Sequence, residues 1–133
     1  MTSRVIRLFV FTAVFAVARM AVAQEGHPLT GTWYGDWGTS TTQRTQITIV
    51  MSWDGKNITG LIDPGPNSAP IKTATLDSKA WMVHIEADMK DKSGAPVHVV
   101  ADGKLTDIGS YNRVLSGTWM YGSTKADFKV KRD

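Results

Sequence analysis

The chain has 133 residues, no cysteine, and a formal charge of +3 from 15 Lys+Arg against 12 Asp+Glu. A basic balance raises nucleic acid or an anionic surface as a partner, but only if the charge stays with the folded domain. The absence of cysteine excludes a disulfide scaffold, a lipobox, a thiol nucleophile and any Cys-based zinc or iron–sulfur site.

The first element is a leader. Arg4 and Arg7 open it, Leu8 to Ala18 is an uncharged apolar run, and Ala21-Val22-Ala23 supplies the small-x-small pattern of a signal peptidase site. The run is shorter than the ~20 residues a membrane span needs, so residues 1–23 read as a cleaved secretory signal. Export, to a periplasm or beyond the cell, is the expectation. Removing Arg4, Arg7 and Arg19 leaves 12 basic residues against 12 acids, so the chain from Gln24 carries no net charge. Nucleic acid is then disfavoured as a partner, and no membrane span remains. The 133 residues less 23 leave 110, the size of one domain with its own core, spanning 24–133.

From Gln24 onward apolar residues follow period 2 and no helical period stands out. Strands are expected near 29–37, 43–53, 57–63, 71–76, 80–90, 96–105, 114–121 and 125–132. Thr45, Ile47, Ile49, Met51 and Trp53 form one apolar face. Trp81, Val83, Ile85, Ala87 and Met89 form another, and Ala126, Phe128 and Val130 a third. Burial on one side only is the mark of an antiparallel sheet with one face on a core. Asp54-Gly55 marks a tight hairpin, Asp77-Ser78-Lys79 and Asp91 to Ala95 mark further turns, and Asp63 to Pro70 is the longest irregular loop.

An open meander of this length would expose two strand edges, and closure removes them. The predicted fold is therefore all-β, an antiparallel up-and-down meander of about eight strands closed into a barrel, with a β-sandwich as the alternative. Eight strands enclose a space that side chains fill or that holds one small ligand. Charged outward faces argue against insertion into an outer membrane. An internal echo fits a coiled sheet. Leu29-Thr30-Gly31-Thr32-Trp33-Tyr34-Gly35 resembles Leu115-Ser116-Gly117-Thr118-Trp119-Met120-Tyr121-Gly122, with a weaker copy at Ile58-Thr59-Gly60-Leu61-Ile62. Glycine within a strand marks a bend or a close backbone approach.

Gly31-Thr32-Trp33-Tyr34, followed by Ile58-Thr59-Gly60 after the Asp54-Gly55 turn, resembles the opening of calycin barrels, the lipocalin and avidin group. The resemblance implies a compact barrel that holds a small molecule. It also implies a basic residue, Arg132 or Lys131, packing over Trp33. The avidin ligand set is not reproduced. Gly35 follows the Trp-Tyr pair where avidins carry a polar residue, Ile62 stands in place of a tyrosine, and only Thr39 matches a hydroxyl position. Biotin binding is thus not implied.

Five tryptophans are dense for a domain of this size. Aromatic rings with a few polar groups at a mouth are the usual lining of an apolar ligand site. Filling a small barrel is the competing use of the same rings. The candidate ligand residues are Trp33, Trp37, Trp53, Trp81 and Trp119, with Tyr34, Thr39 and Tyr121 as polar partners.

His84, Glu86 and Asp88 share a strand face. A hairpin centred near Ser93 sets His84 opposite Asp102 and His98 opposite Asp88. Imidazoles beside carboxylates suit acid–base or metal chemistry, and equally the ordinary cross-strand pairs of a solvated sheet face. The nucleophile-elbow, zincin, Walker and dinucleotide signatures are all missing. Asp54-Gly55-Lys56-Asn57 is a turn without the other ligands of a calcium loop. Asn57-Ile58-Thr59 fits a glycosylation sequon, which matters only in a eukaryotic secretory pathway.

No cofactor or metal is called for, and the oligomeric state stays open. The expected function is non-enzymatic binding of a small apolar or aromatic molecule. The alternatives are a surface-acting envelope module or protease inhibitor, and a small enzyme using His84, Glu86 and His98. Intact-mass measurement of the exported protein is expected to show a chain beginning at Gln24; retention of residues 1–23 would overturn the leader assignment.

Overall fold

The computed structural model describes residues 27–133. The expected leader lies outside the described residues. Eight strands follow one another: β1 Gly31–Gly38, β2 Arg44–Trp53, β3 Ile58–Ile62, β4 Ala69–Asp77, β5 Met82–Lys90, β6 Pro96–Thr106, β7 Val114–Tyr121 and β8 Thr124–Arg132. Each pairs antiparallel with the next, and β1 pairs with β8 from Trp33↔Arg132 to Gly38↔Asp127. The result is one closed barrel in meander order, so the sandwich alternative is set aside. Among the described residues no helix is long and apolar enough to cross a membrane.

The alternating faces become inside and outside. Ile47, Ile49 and Met51 of β2, Val83, Ile85 and Ala87 of β5, and Ala126, Phe128 and Val130 of β8 are buried in one core. Thr45 and Trp53, at the two ends of the β2 face, lie nearer the rims, Thr45 exposed and Trp53 half-buried. Trp33 and Trp119 are wholly buried among these residues, and among the described residues no polar or charged residue is buried with them.

Asp54 explains the β2–β3 hairpin turn: its Oδ1 accepts from the N–H groups of Lys56 and Asn57 at 2.8 and 2.6 Å, and Gly55 takes φ +96°. Asp91 does the same for the β5–β6 turn, accepting from Ser93 and Ala95. Both carboxylates substitute for backbone acceptors, the turn chemistry that Asp-rich hairpins use.

Two departures from the predicted strands have local causes. β5 begins at Met82 instead of residue 80 because Trp81 has φ +53° and breaks the extended run. β4 begins at Ala69 and carries a bulge: Ile71 faces Ala87 while Thr73 faces Glu86. Lys72 is the extra residue. The β3–β4 seam has only two register pairs, Leu61↔Pro70 and Ile62↔Ala69, as expected where proline removes a ladder donor.

Two of the echoed glycines, Gly117 and Gly60, sit where neighbouring strands press close, whereas Gly31 faces only the Arg132 side chain. A Cβ at Gly117 would lie 2.1 Å from the Asp102 carbonyl oxygen, and one at Gly60 would lie 2.0 Å from that of Val50. Neither oxygen can move without breaking the ladder. Gly117→Ala is expected to cost about 1–3 kcal/mol and lower Tm by about 5–15 °C in thermal unfolding. Gly109→Ala, where a Cβ meets nothing within 4 Å, should leave Tm unchanged. Equal Tm values for the two variants would refute the close-approach account.

Candidate functional site

Up-and-down winding puts the start of β1 and the β2–β3, β4–β5 and β6–β7 connections at one end of the barrel. Part of that end is capped by residues 27–30. Leu29 is fully buried, and its carbonyl accepts the Trp33 indole N–H at 2.9 Å. Arg113 donates to the Pro28 carbonyl at 3.0 Å and Arg132 to that of Thr30 at 3.3 Å. Arg132 stands opposite Trp33 in the β1–β8 register, and its guanidinium lies 5.0 Å from the centre of the Tyr111 ring.

The rest of that end is an open cleft of about 480 Å³. Trp53 arrives from the end of β2 and Trp81 from the β4–β5 turn, one residue before β5. Ile58, Ala74 and Leu76 supply the apolar wall, and Lys56, Asn57, Thr75 and Ser78 the polar rim. His27 stacks on Trp53 with ring centroids 4.5 Å apart and planes 18° apart. Burial pushes the His27 imidazole below its ordinary value, favouring the neutral ring. Its Nδ1 accepts the Leu29 N–H at 3.2 Å. Trp81 is held at a positive φ that bulky residues avoid, a strain of ~1–3 kcal/mol that such sites characteristically store.

The opposite end is closed by rings. Trp37 stacks on Tyr121 at 5.0 Å and on Trp119 at 5.8 Å, and Trp119 tilts against Phe128. A smaller cleft of about 220 Å³ lies beside them, lined by Trp37, Thr39, Arg44 and Tyr121. Tyr34 is on the outer surface, 50% exposed. The eight predicted residues therefore do not meet at one mouth. Trp53 and Trp81 share one cleft, and Trp37, Thr39 and Tyr121 the other. Trp33 and Trp119 fill the core between, where the Trp119 indole N–H has no partner among the described residues.

In the sequence His27 carries little weight, Lys56 reads as a turn residue, and Asn57 as a turn residue and the head of a sequon. The signal available was the apolar alternation Ala74, Leu76, which marks β4 side chains sharing the inner face with Trp53.

The β5–β6 register is as expected, His84↔Asp102 and Asp88↔His98. On this outer face the side chains form a continuous ladder. His84 Nδ1 meets Asp102 at 2.6 Å and its Nε2 meets Glu86 at 3.1 Å; His98 Nε2 meets Glu86 at 3.1 Å and its Nδ1 meets Asp88 at 2.8 Å. Lys72 closes the row by bonding Asp88. None of the clefts above includes these residues. Among the described residues no three His, Asp or Glu side chains are grouped to hold a metal ion.

Searches against protein-family models, curated proteins and solved structures find no match for this chain.

A neutral imidazole has one N–H, and each ladder histidine faces two carboxylates. Only the imidazolium donates to both. Asp102 foremost and then Glu86 raise the His84 value, and Asp88 foremost and then Glu86 raise that of His98. In return His84, then His98, lowers Glu86, and Lys72, then His98, lowers Asp88. A raised imidazole contributes stability that is complete below its ordinary value of 6.5 and is lost as pH rises through the folded value. A lowered carboxylate contributes above its ordinary value, 4.5 for Glu86, and loses this as pH falls. The doubly substituted His84→Gln/His98→Gln protein is thus expected to show its largest Tm deficit between pH 4.5 and 6.5. Melting curves across pH should show the deficit shrinking on either side; a flat deficit would mean the ladder is uncoupled from protonation.

Proposed function

We propose that this chain is an exported, calycin-like barrel that binds a small apolar or aromatic molecule without transforming it, at the cleft of Trp53 and Trp81. One observation carries the reading. Two indoles from hairpins distant in sequence converge on an open apolar cleft of about 480 Å³, within the ~300–1,000 Å³ usual for small-molecule sites. The strained backbone of Trp81 and the polar rim of Asn57, Thr75 and Ser78 support it. The ladder of His84, Glu86 and His98 lies outside any described cleft, which favours binding over catalysis there.

The exposure of Tyr111, at 70%, favours a second reading in which the outer surface meets a partner. Calorimetry with 2-naphthol separates the two. Binding is expected to weaken by about tenfold or more in Trp53→Ala and Trp81→Ala, the loss of one aromatic anchor, and to be unchanged in Trp37→Ala at the opposite end. No binding, or equal loss in all three variants, would refute the cleft.

A further inference from the structure

The Trp53–Trp81 cleft carries a further inference, which rests on the binding function proposed above. Among the described residues Lys56 is the one side chain of fixed charge in its lining; the remaining polar groups there are Asn57, Thr75, Ser78 and His27. Among the described residues Lys56 makes no salt bridge. The acids nearest in sequence are engaged elsewhere. Asp54 spends its Oδ1 on the backbone of its own turn, and Asp77 accepts from the Lys79 N–H at 3.0 Å. Neither lines the cleft. A concave apolar surface with one unneutralised ammonium at its rim favours a negative charge over a neutral or positive one.

The shape of the occupant is also indicated. The Trp53 face is not bare, for the His27 imidazole lies nearly parallel on it. The position is thus a seat for a flat ring at stacking distance, and a side chain of the chain's own first described residue fills it. Among the described residues its ring is held there by the stack and by a 3.2 Å hydrogen bond from the Leu29 N–H, while its carbonyl separately accepts from the Thr30 N–H at 3.2 Å. The segment's firmer anchors, Leu29, Trp33, Arg113 and Arg132, all lie further along the chain. Leu29 can stay buried while the imidazole leaves.

We infer that the cleft selects a planar aromatic anion, whose ring displaces the His27 imidazole from Trp53 and whose acidic group reaches Lys56. The ligand class is then an aromatic carboxylate or sulfonate with its charge at one edge of the ring. His27 is the competitor every ligand must displace, so removing it exposes the seat.

Three probes with one ring system test this at neutral pH: naphthalene-2-carboxylate, naphthalene-2-carboxamide and 2-naphthylmethylammonium, titrated by calorimetry, with the Trp53 and Trp81 indole N–H signals followed by NMR. The carboxylate is expected to bind about three- to tenfold tighter than the carboxamide, and the ammonium weakest. Lys56→Gln should erase the carboxylate's advantage and leave carboxamide binding unchanged. His27→Ala should tighten all three probes several-fold. Equal binding of the three would overturn the charge selection while leaving the cleft as an apolar site. Unchanged or weaker binding in His27→Ala would overturn the displacement. Binding by none of them, with 2-naphthol also silent, would overturn the binding function itself, so the two failures are distinguishable.

Discussion

The pairing of β1 with β8 is the constraint on which the rest of the molecule depends. Its register, Trp33↔Arg132 to Gly38↔Asp127, turns an eight-stranded sheet with two open edges into one with none. Closure then sets a fixed interior, and large side chains fit only where neighbours are small. Trp33 and Trp119 lie among Ala87, Ala101 and Ala126. At Gly103 a Cβ would come 2.9 Å from the tip of the Phe128 ring. Large against small is the pattern by which a tapering barrel is filled without voids.

A filled centre leaves function to the ends, and the two ends are closed by different means. At one, Trp37 and Tyr121 extend the core stack outward and leave only the smaller cleft beside them. At the other, residues 27–30 cap only part of the opening. The remainder stays open beside the short β3–β4 seam, where a two-pair ladder leaves Ile58 and the lower half of β4 unpaired with each other. The weak seam and the open cleft are one feature seen twice: fewer cross-strand bonds hold the wall together where Trp53 and Trp81 stand.

Much of this was legible in the residues because two rules act locally. Period-2 burial gave Ile47, Ile49 and Met51 their direction, and Asx chemistry at Asp54 and Asp91 gave the hairpins their centres. The Asp91 turn in turn set His84 against Asp102. What was not legible is height along the barrel axis. Alternation says that Trp33, Trp53 and Trp81 point inward, but strand tilt and stagger decide which ring reaches a rim. The positive φ of Trp81 was hidden because a bulky aromatic is the residue least expected there. His27 was passed over because its importance comes from a single tertiary stack.

The β4 bulge ties the outer ladder to the inner cleft. Without the extra residue, strict alternation from inward Ile71 would turn Thr73 and Thr75 inward and Ala74 and Leu76 out to solvent. With it, Lys72 and Thr73 both stand opposite the outer face, Lys72 reaches Asp88, and the apolar pair lines the cleft. The ladder thus contributes more than charge pairing on a wet surface, where isolated pairs count for little. The Lys72–Asp88 contact favours the bulged register over the slipped one, and the bulged register puts Ala74 and Leu76 in the lining of the cleft that Trp53 shares. A surface ion pair is coupled in this way to the apolar wall of a site on the other side of the sheet.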